Sequence, residues 1–213
     1  DPEALCPPGG LGTQARIAEI LGLTVTGRAP RAAQVRCRGT DAQAESLGTY
    51  VGIRDCTAAD LVGGGHKVCP FGCLGLGTCV AACQFGALSI RDGIAVVDEE
   101  VCTGCTKCVA ACPRGIITML DKGPRVVVDC HSPDKGAQVK KYCKVGCFTC
   151  MICVKKCPEK AISLVDNRIT IDPGKCTRCG ICIEACPQGT INGYHGAGVR
   201  PAQAGAADAE VQA

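Results

Sequence analysis

Apolar and polar residues follow one plan in two short stretches of this chain. In ALSIRDGIAVVD, Ala87 to Asp98, apolar positions lie on both sides of Asp92-Gly93, a strong type I′ turn signal. In AISLVDNRITID, Ala161 to Asp172, the plan recurs around Asp166-Asn167, where Asn tolerates the positive φ that the turn needs. Both stretches are predicted as β-hairpins. Helical periodicity marks residues 11–22, LGTQARIAEILG, as one amphipathic helix ending at Gly22. CVAAC and CIEAC predict short helices late in each cysteine group. From Gly196 onward the chain is rich in Ala and Gly without apolar periodicity, which predicts a mobile tail. No apolar run approaches the ~18 residues of a transmembrane helix, and no signal peptide is legible.

Composition changes this picture at one point. The 213 residues include 21 cysteines, no Trp, three Phe and three Tyr, so an ordinary core would be thin. The cysteine total is odd, and cysteines 143, 147, 150, 153 and 157 crowd too closely to pair without strain. That excludes a disulfide scaffold and points to a metal protein in a reducing compartment. The net charge of +3 is too small to argue for nucleic acid or a membrane surface. The chain begins at Asp1 without an initiator Met, so an upstream segment is expected.

The cysteines repeat. Adding 74 to positions 56, 69, 73, 79, 83, 102, 105, 108 and 112 reaches another cysteine each time, and Asp55, Lys67 and Asp98 map onto Asp129, Lys141 and Asp172. Inside each unit a period of 29 carries Cys73 to Cys102, Cys79 to Cys108 and Cys83 to Cys112. Three groups match C-x2-C-x2-C-x3-C-P in full: Cys102, Cys105, Cys108 and Cys112; Cys147, Cys150, Cys153 and Cys157; Cys176, Cys179, Cys182 and Cys186. This is the bacterial ferredoxin run, whose fourth cysteine ligates the other 4Fe-4S cluster of a pair. Zinc, the competing reading, generally pairs two C-x2-C knuckles across a long loop.

Crossed pairing assigns Cys147, Cys150, Cys153 and Cys186 to one cluster, and Cys157, Cys176, Cys179 and Cys182 to another. Cys83, Cys102, Cys105 and Cys108 form a third set. A fourth set has only Cys73, Cys79 and Cys112, because Leu76 stands where Cys150 stands in the repeat. Cys69, four residues before Cys73, is expected to supply the missing thiolate; a three-iron cluster is the alternative. Cys37, Cys56, Cys130 and Cys143 are then left, either as a fifth cluster or as buried free thiols. The expected architecture is α+β: residues 1–27 a remnant of an N-terminal 4Fe-4S segment, 28–68 a linker or extension with extra cysteines, 69–125 and 126–194 two tandem ferredoxin-like bicluster units, and 195–213 the tail.

CPPGG at residues 6–10, with YVGIRDC, GCLGLGTCV and the paired motifs, resembles the long B subunits of the Rnf complex, an ion-translocating ferredoxin:NAD oxidoreductase of bacterial membranes. The resemblance covers residues 1 to about 194. It implies a membrane-spanning helix and three further cysteines upstream, with Cys6 the fourth ligand of a cluster whose other ligands lie there. It also implies ferredoxin as electron donor, flavin-bearing subunits as partners, and a place on the cytoplasmic face of the membrane. The chain itself carries no dinucleotide fingerprint, P-loop or hydrolytic constellation, so no independent catalytic site is readable. His66, His131 and His195 read as surface residues. Lys107, Arg114, Lys140, Lys141, Lys144, Lys155, Lys156, Lys160, Lys175 and Arg178 read as solvated charges or as a docking face for an acidic ferredoxin. A soluble polyferredoxin and a zinc-stabilised interaction protein are the competing functions.

Overall fold

The structure, a computed structural model, describes Cys6, residues 9–23 and residues 30–194. The expected tail, with His195, lies outside the described residues, as do most of the residues around Cys6. The periodic N-terminal segment forms α1 (Gly10–Leu21), closed by Gly22 at φ 64° with Leu23 N–H bonded back to the Ala18 carbonyl.

The rest is built twice. In the first half, β1 (Arg31–Val35) comes first, followed by α2 (Cys56–Leu61) and α3 (Thr78–Ala81). The hairpin β2 (Leu88–Arg91) and β3 (Ile94–Val97), then α4 (Lys107–Ala111) and β4 (Ile117–Asp121), complete it. The second half runs β5 (Arg125–Val128), α5 (Gly136–Tyr142), α6 (Ile152–Lys156), the hairpin β6 (Ile162–Val165) and β7 (Arg168–Ile171), α7 (Ile181–Glu184) and β8 (Ile191–Tyr194). Each half pairs its first strand with its last, antiparallel, and encloses a hairpin: β1 with β4, β5 with β8. The hairpins turn on Asp92-Gly93 (φ 47° and 74°) and Asp166-Asn167 (φ 47° and 58°), both residues left-handed as a type I′ turn requires.

Of the two readings of residues 28–68, linker or extension, the strand pairing fits the extension, because they supply β1, whose Arg31 lies opposite Asp121 and Val35 opposite Ile117. Ala32 and Ala33 of that strand are buried in the first core, where small side chains let it approach the cysteine loops. Both cores are made of Ala, Val, Ile, Leu and cysteine.

A buried polar network joins the halves. The Asp129 carboxylate accepts from Gln34 Nε2 (3.1 Å), Asn192 Nδ2 (2.6 Å) and Tyr194 OH (2.6 Å). Arg38 Nη1 donates to Asn192 Oδ1 at 2.5 Å, and Arg125 pairs with Glu99. Burial pushes the Asp129 carboxyl up to about 6 against these donors.

Candidate metal centres

Two left-handed residues flank the middle position of every cysteine loop: Gly75 and Gly77, Gly104 and Thr106, Thr149 and Met151, Arg178 and Gly180. Alternating handedness curls the loop and turns backbone N–H groups toward its concave side. Each loop then enters a short helix that carries the third cysteine, Cys79 on α3, Cys108 on α4, Cys153 on α6 and Cys182 on α7. Four of these eight residues are not glycine. L-residues in this region cost roughly 1–2 kcal/mol each, a cost that a group bound inside the loop would offset.

The loops gather thiols around five cavities. Cys147, Cys150, Cys153 and Cys186 line one of them. Cys157, Cys176, Cys179 and Cys182 line the next, and Cys83, Cys102, Cys105 and Cys108 a third. The fourth brings Cys56, Cys73, Cys79 and Cys112 together. Cys69, expected in that place, is elsewhere. It lines a fifth cavity with Cys37, Cys130 and Cys143, so the leftover set expected as Cys37, Cys56, Cys130 and Cys143 has exchanged one member.

The physical reason for the exchange lies in α2. Asp55 caps this helix, accepting from Ala58 N at 2.8 Å, and also accepts from Thr78 Oγ1 at 2.8 Å. Thr78 Oγ1 in turn accepts from the Cys56 amide at 2.6 Å. These bonds clamp the first turn of α2 onto the start of α3 and bring Cys56 beside Cys79. Cys6 is exposed and lines none of the five cavities.

Donor chemistry fits 4Fe-4S clusters. Each cavity presents four sulfurs, and backbone amides donate to several of them: Ala33 N to Cys102 Sγ, Ala95 N to Cys73 Sγ and Ala161 N to Cys157 Sγ, all at 3.4 Å. Among the described residues no three Cys, His, Asp or Glu side chains converge on a point as a single ion requires; a zinc would need its thiolates ~2.3 Å away. Burial pushes the Cys79, Cys147 and Cys182 thiols up to about 12, and Cys69 and Cys108 up to about 11. At neutral pH these groups are protonated until a metal draws out the thiolate.

Most of the expected basic residues are exposed. Arg114 is not: its guanidinium is buried and ion-paired with Asp60 at 2.7 Å, which removes it from any docking surface. Lys155, Lys156, Lys160, Lys175 and Arg178 are exposed and are near neighbours in sequence of Cys157, Cys176 and Cys179, which line one cavity. His66 and His131 are half-buried rather than surface residues, and His131 reaches the wall of the fifth cavity. No helix among the described residues is long and apolar enough to cross a membrane.

Residues 101–162 and residues 146–190 each match a family described as a 4Fe-4S dicluster domain. The chain is 44% identical over 173 residues to the B subunit of the ion-translocating oxidoreductase complex of Methanosarcina acetivorans, covering 81% of this chain and 66% of that one. It is 41% identical over 176 residues to the B subunit of the proton-translocating ferredoxin:NAD+ oxidoreductase complex of Clostridium ljungdahlii, covering 82% and 62%. The Na+-translocating counterpart from Acetobacterium woodii is 42% identical over 172 residues, covering 80% and 52%. The chain therefore spans between about half and two thirds of the length of the curated relatives it matches.

Proposed function

Because the chain belongs to the family of B subunits of ion-translocating ferredoxin:NAD+ oxidoreductase complexes, we propose that it relays electrons from ferredoxin toward flavin-bearing subunits of such a complex, at the cytoplasmic face of a membrane. Cys56, Cys73, Cys79 and Cys112 hold one 4Fe-4S cluster, and Cys83, Cys102, Cys105 and Cys108 its partner. Cys147, Cys150, Cys153 and Cys186, with Cys157, Cys176, Cys179 and Cys182, hold the second pair, which makes the halves two tandem bicluster units. When bound, each cluster takes up and gives back one electron.

The observation that carries this reading is the crossing of ligands within each half. α3 and its C-cap lead from Cys79 in one cavity to Cys83 in the next, and α4 leads back from Cys108 to Cys112. Cys153 to Cys157 and Cys182 to Cys186 do the same in the second half. Neighbouring sets are thus joined by a single helical turn of covalent chain, which keeps them close and fixed.

The set containing the exposed Cys179 is the outlet best placed for a soluble partner. Its surround of Lys155, Lys156, Lys160, Lys175 and Arg178 attracts an acidic surface and raises encounter rates. Reduction of the anaerobically reconstituted chain by reduced ferredoxin should therefore slow as salt rises, since exposed charges are screened beyond ~8 Å at physiological ionic strength. A Lys155→Glu, Lys156→Glu double variant should start slower and respond less to salt. Equal rates for both proteins at every salt concentration would remove this face from the encounter. A colourless protein that retains zinc would defeat the electron-transfer reading as a whole.

A further inference from the structure

Between β1 and the loop of Cys73, residues 45–68 run outward and return. The two ends lie side by side: Ser46 and Lys67 form an antiparallel bridge, Leu47 N donates to the His66 carbonyl (2.7 Å), and Val68 N donates to the Glu45 carbonyl (3.0 Å). Tyr50 lies against His66, with ring centres 6.2 Å apart. Farther out, α2 turns the fully buried Ala59 inward, and Arg114 reaches across to Asp60 (2.7 Å) and to the Gly64 carbonyl. With Asp55 capping the start of α2, the excursion is held at its base and along its inner side.

Its outer side is aliphatic. Leu47, Val51, Ile53, Leu61 and Val62 are between 72% and 92% exposed, whereas the next large apolar side chain among residues 30–194, Val165, is 51% exposed. His66 brings the stretch after α2 beside the stretch before it, so these side chains share one surface. Residues 47–53, LGTYVGI, and 61–65, LVGGG, carry no charge. The acidic groups between them are engaged inward, Asp55 with Ala58 N and Thr78, Asp60 with Arg114. Arg54 is left as the exposed charge of residues 47–65.

Single exposed aliphatic side chains are ordinary on a protein surface, but five on one short excursion are not. At ~60–120 Å² each they leave on the order of 400 Å² of apolar area in water, within the range of the largest patch on a typical monomer. That is about the apolar share, ~57%, of the ~800 Å² that each side of a standard protein interface buries. Transient redox partners meet through small, charged contacts, and Lys155, Lys156 and their neighbours have that character. Partners that stay bound meet through apolar area. A lipid surface fits less well, because peripheral membrane faces set Lys, Arg, Trp or Phe around their apolar residues, and here only Arg54 and the half-buried Tyr50 stand nearby.

We infer that the outer side of residues 47–62 docks an uncharged, aliphatic surface of another subunit of the complex, one that remains bound through turnover. The inference rests on the chain working as a subunit of such a complex. Because α2 lies under this face and carries Cys56, the docked subunit covers the helix that completes the fourth thiol set.

The test uses the 213-residue chain, reconstituted anaerobically and immobilised. The probe is the remaining subunits of the complex, isolated in detergent without their B subunit. The parent chain should retain them at ~1 M salt, where exposed charges are screened beyond ~3 Å. A Val51→Asp, Leu61→Asp variant should weaken retention about a hundredfold, through two lost apolar contacts and two carboxylates stripped of water. Lys155→Glu, Lys156→Glu should leave it unchanged. Equal iron content shows that the variants are loaded alike, and Val51→Asp alone, at the most exposed position, is the second probe if the double variant binds less iron. Equal retention of the parent and the apolar variants would overturn this face while leaving the chain a subunit. Binding of the parent chain, but not the variant, to vesicles of phosphatidylcholine and phosphatidylglycerol would give the face to lipid and overturn the inference. Self-association of the parent that the variant abolishes would give it to a second copy, with the same result. Subunits that bind none of the proteins would sink the reading of the chain as a subunit together with this face.

Discussion

Asp55 decides which thiol completes the gapped loop. By capping α2 and holding Thr78, it places Cys56 against Cys79 and leaves Cys69 to the inter-unit cavity. Cys56→Ser should cost one cluster or convert it to a three-iron form, read as the loss of up to about four irons and a new paramagnetic signal. Leu76→Cys should partly restore it, because Leu76 sits between left-handed Gly75 and Gly77 as Cys105 sits between Gly104 and Thr106. Failure of that rescue would mean the loop no longer closes around a ligand of standard spacing. The three complete motifs were legible because the four cysteines of each fall within a short stretch of chain. Cys56 was not, because its placement depends on a cap and on a contact between two helices distant in sequence. The 74-residue repeat also misled here. It aligned Cys56 with Cys130, whereas in the fold the counterpart of Cys130 is Cys37. The signal was present in the chain: QVRC ends β1 and VVDC ends β5 with the same apolar residue, one intervening residue and a cysteine.

Among elements, the cysteine loops put Thr, Met and Arg at positive φ, whereas the hairpin turns put Asp, Asn and Gly there, which tolerate it better. Met151 at φ 62° makes no turn that glycine would not make better, so Met151→Gly should change stability by no more than ~1 kcal/mol in the loaded protein. Gly75 is the opposite case: at φ 68°, a β-carbon there would collide with the Gly93 carbonyl oxygen. Gly75→Ala must push the β2–β3 turn away from the loop that carries Cys73, at a cost of ~2–4 kcal/mol. Anaerobic denaturant titrations of both variants check the contrast; similar midpoints would show that the loop relaxes freely. The hairpins could be read in advance because turn chemistry and alternation act within a few residues. The outer pairs could not. β1 is Ala-rich, and its partner β4 lies most of a half away, so the pairing is dictated by tertiary contact rather than by local preference.

On the scale of the molecule, the largest fully buried side chains among the described residues are Ile116, Ile169, Val139, Thr190 and Asp129, and none of these is aromatic. Such small cores leave the thiol-lined cavities to be spanned by metal, so chelating the iron should abolish the cooperative melting transition. An unchanged transition after complete iron removal would show that packing alone suffices. The division of the fifth set has a consequence for assembly. Each half can gather the cysteines of its own two cavities without the other, but the set of Cys37, Cys69, Cys130 and Cys143 comes together only once the halves have docked through the Asp129 network. A metal held there would work as a latch that closes last. Cleaving the chain at the Lys122-Gly123-Pro124 turn would then leave two pieces whose grip on each other rises and falls with the metal between them.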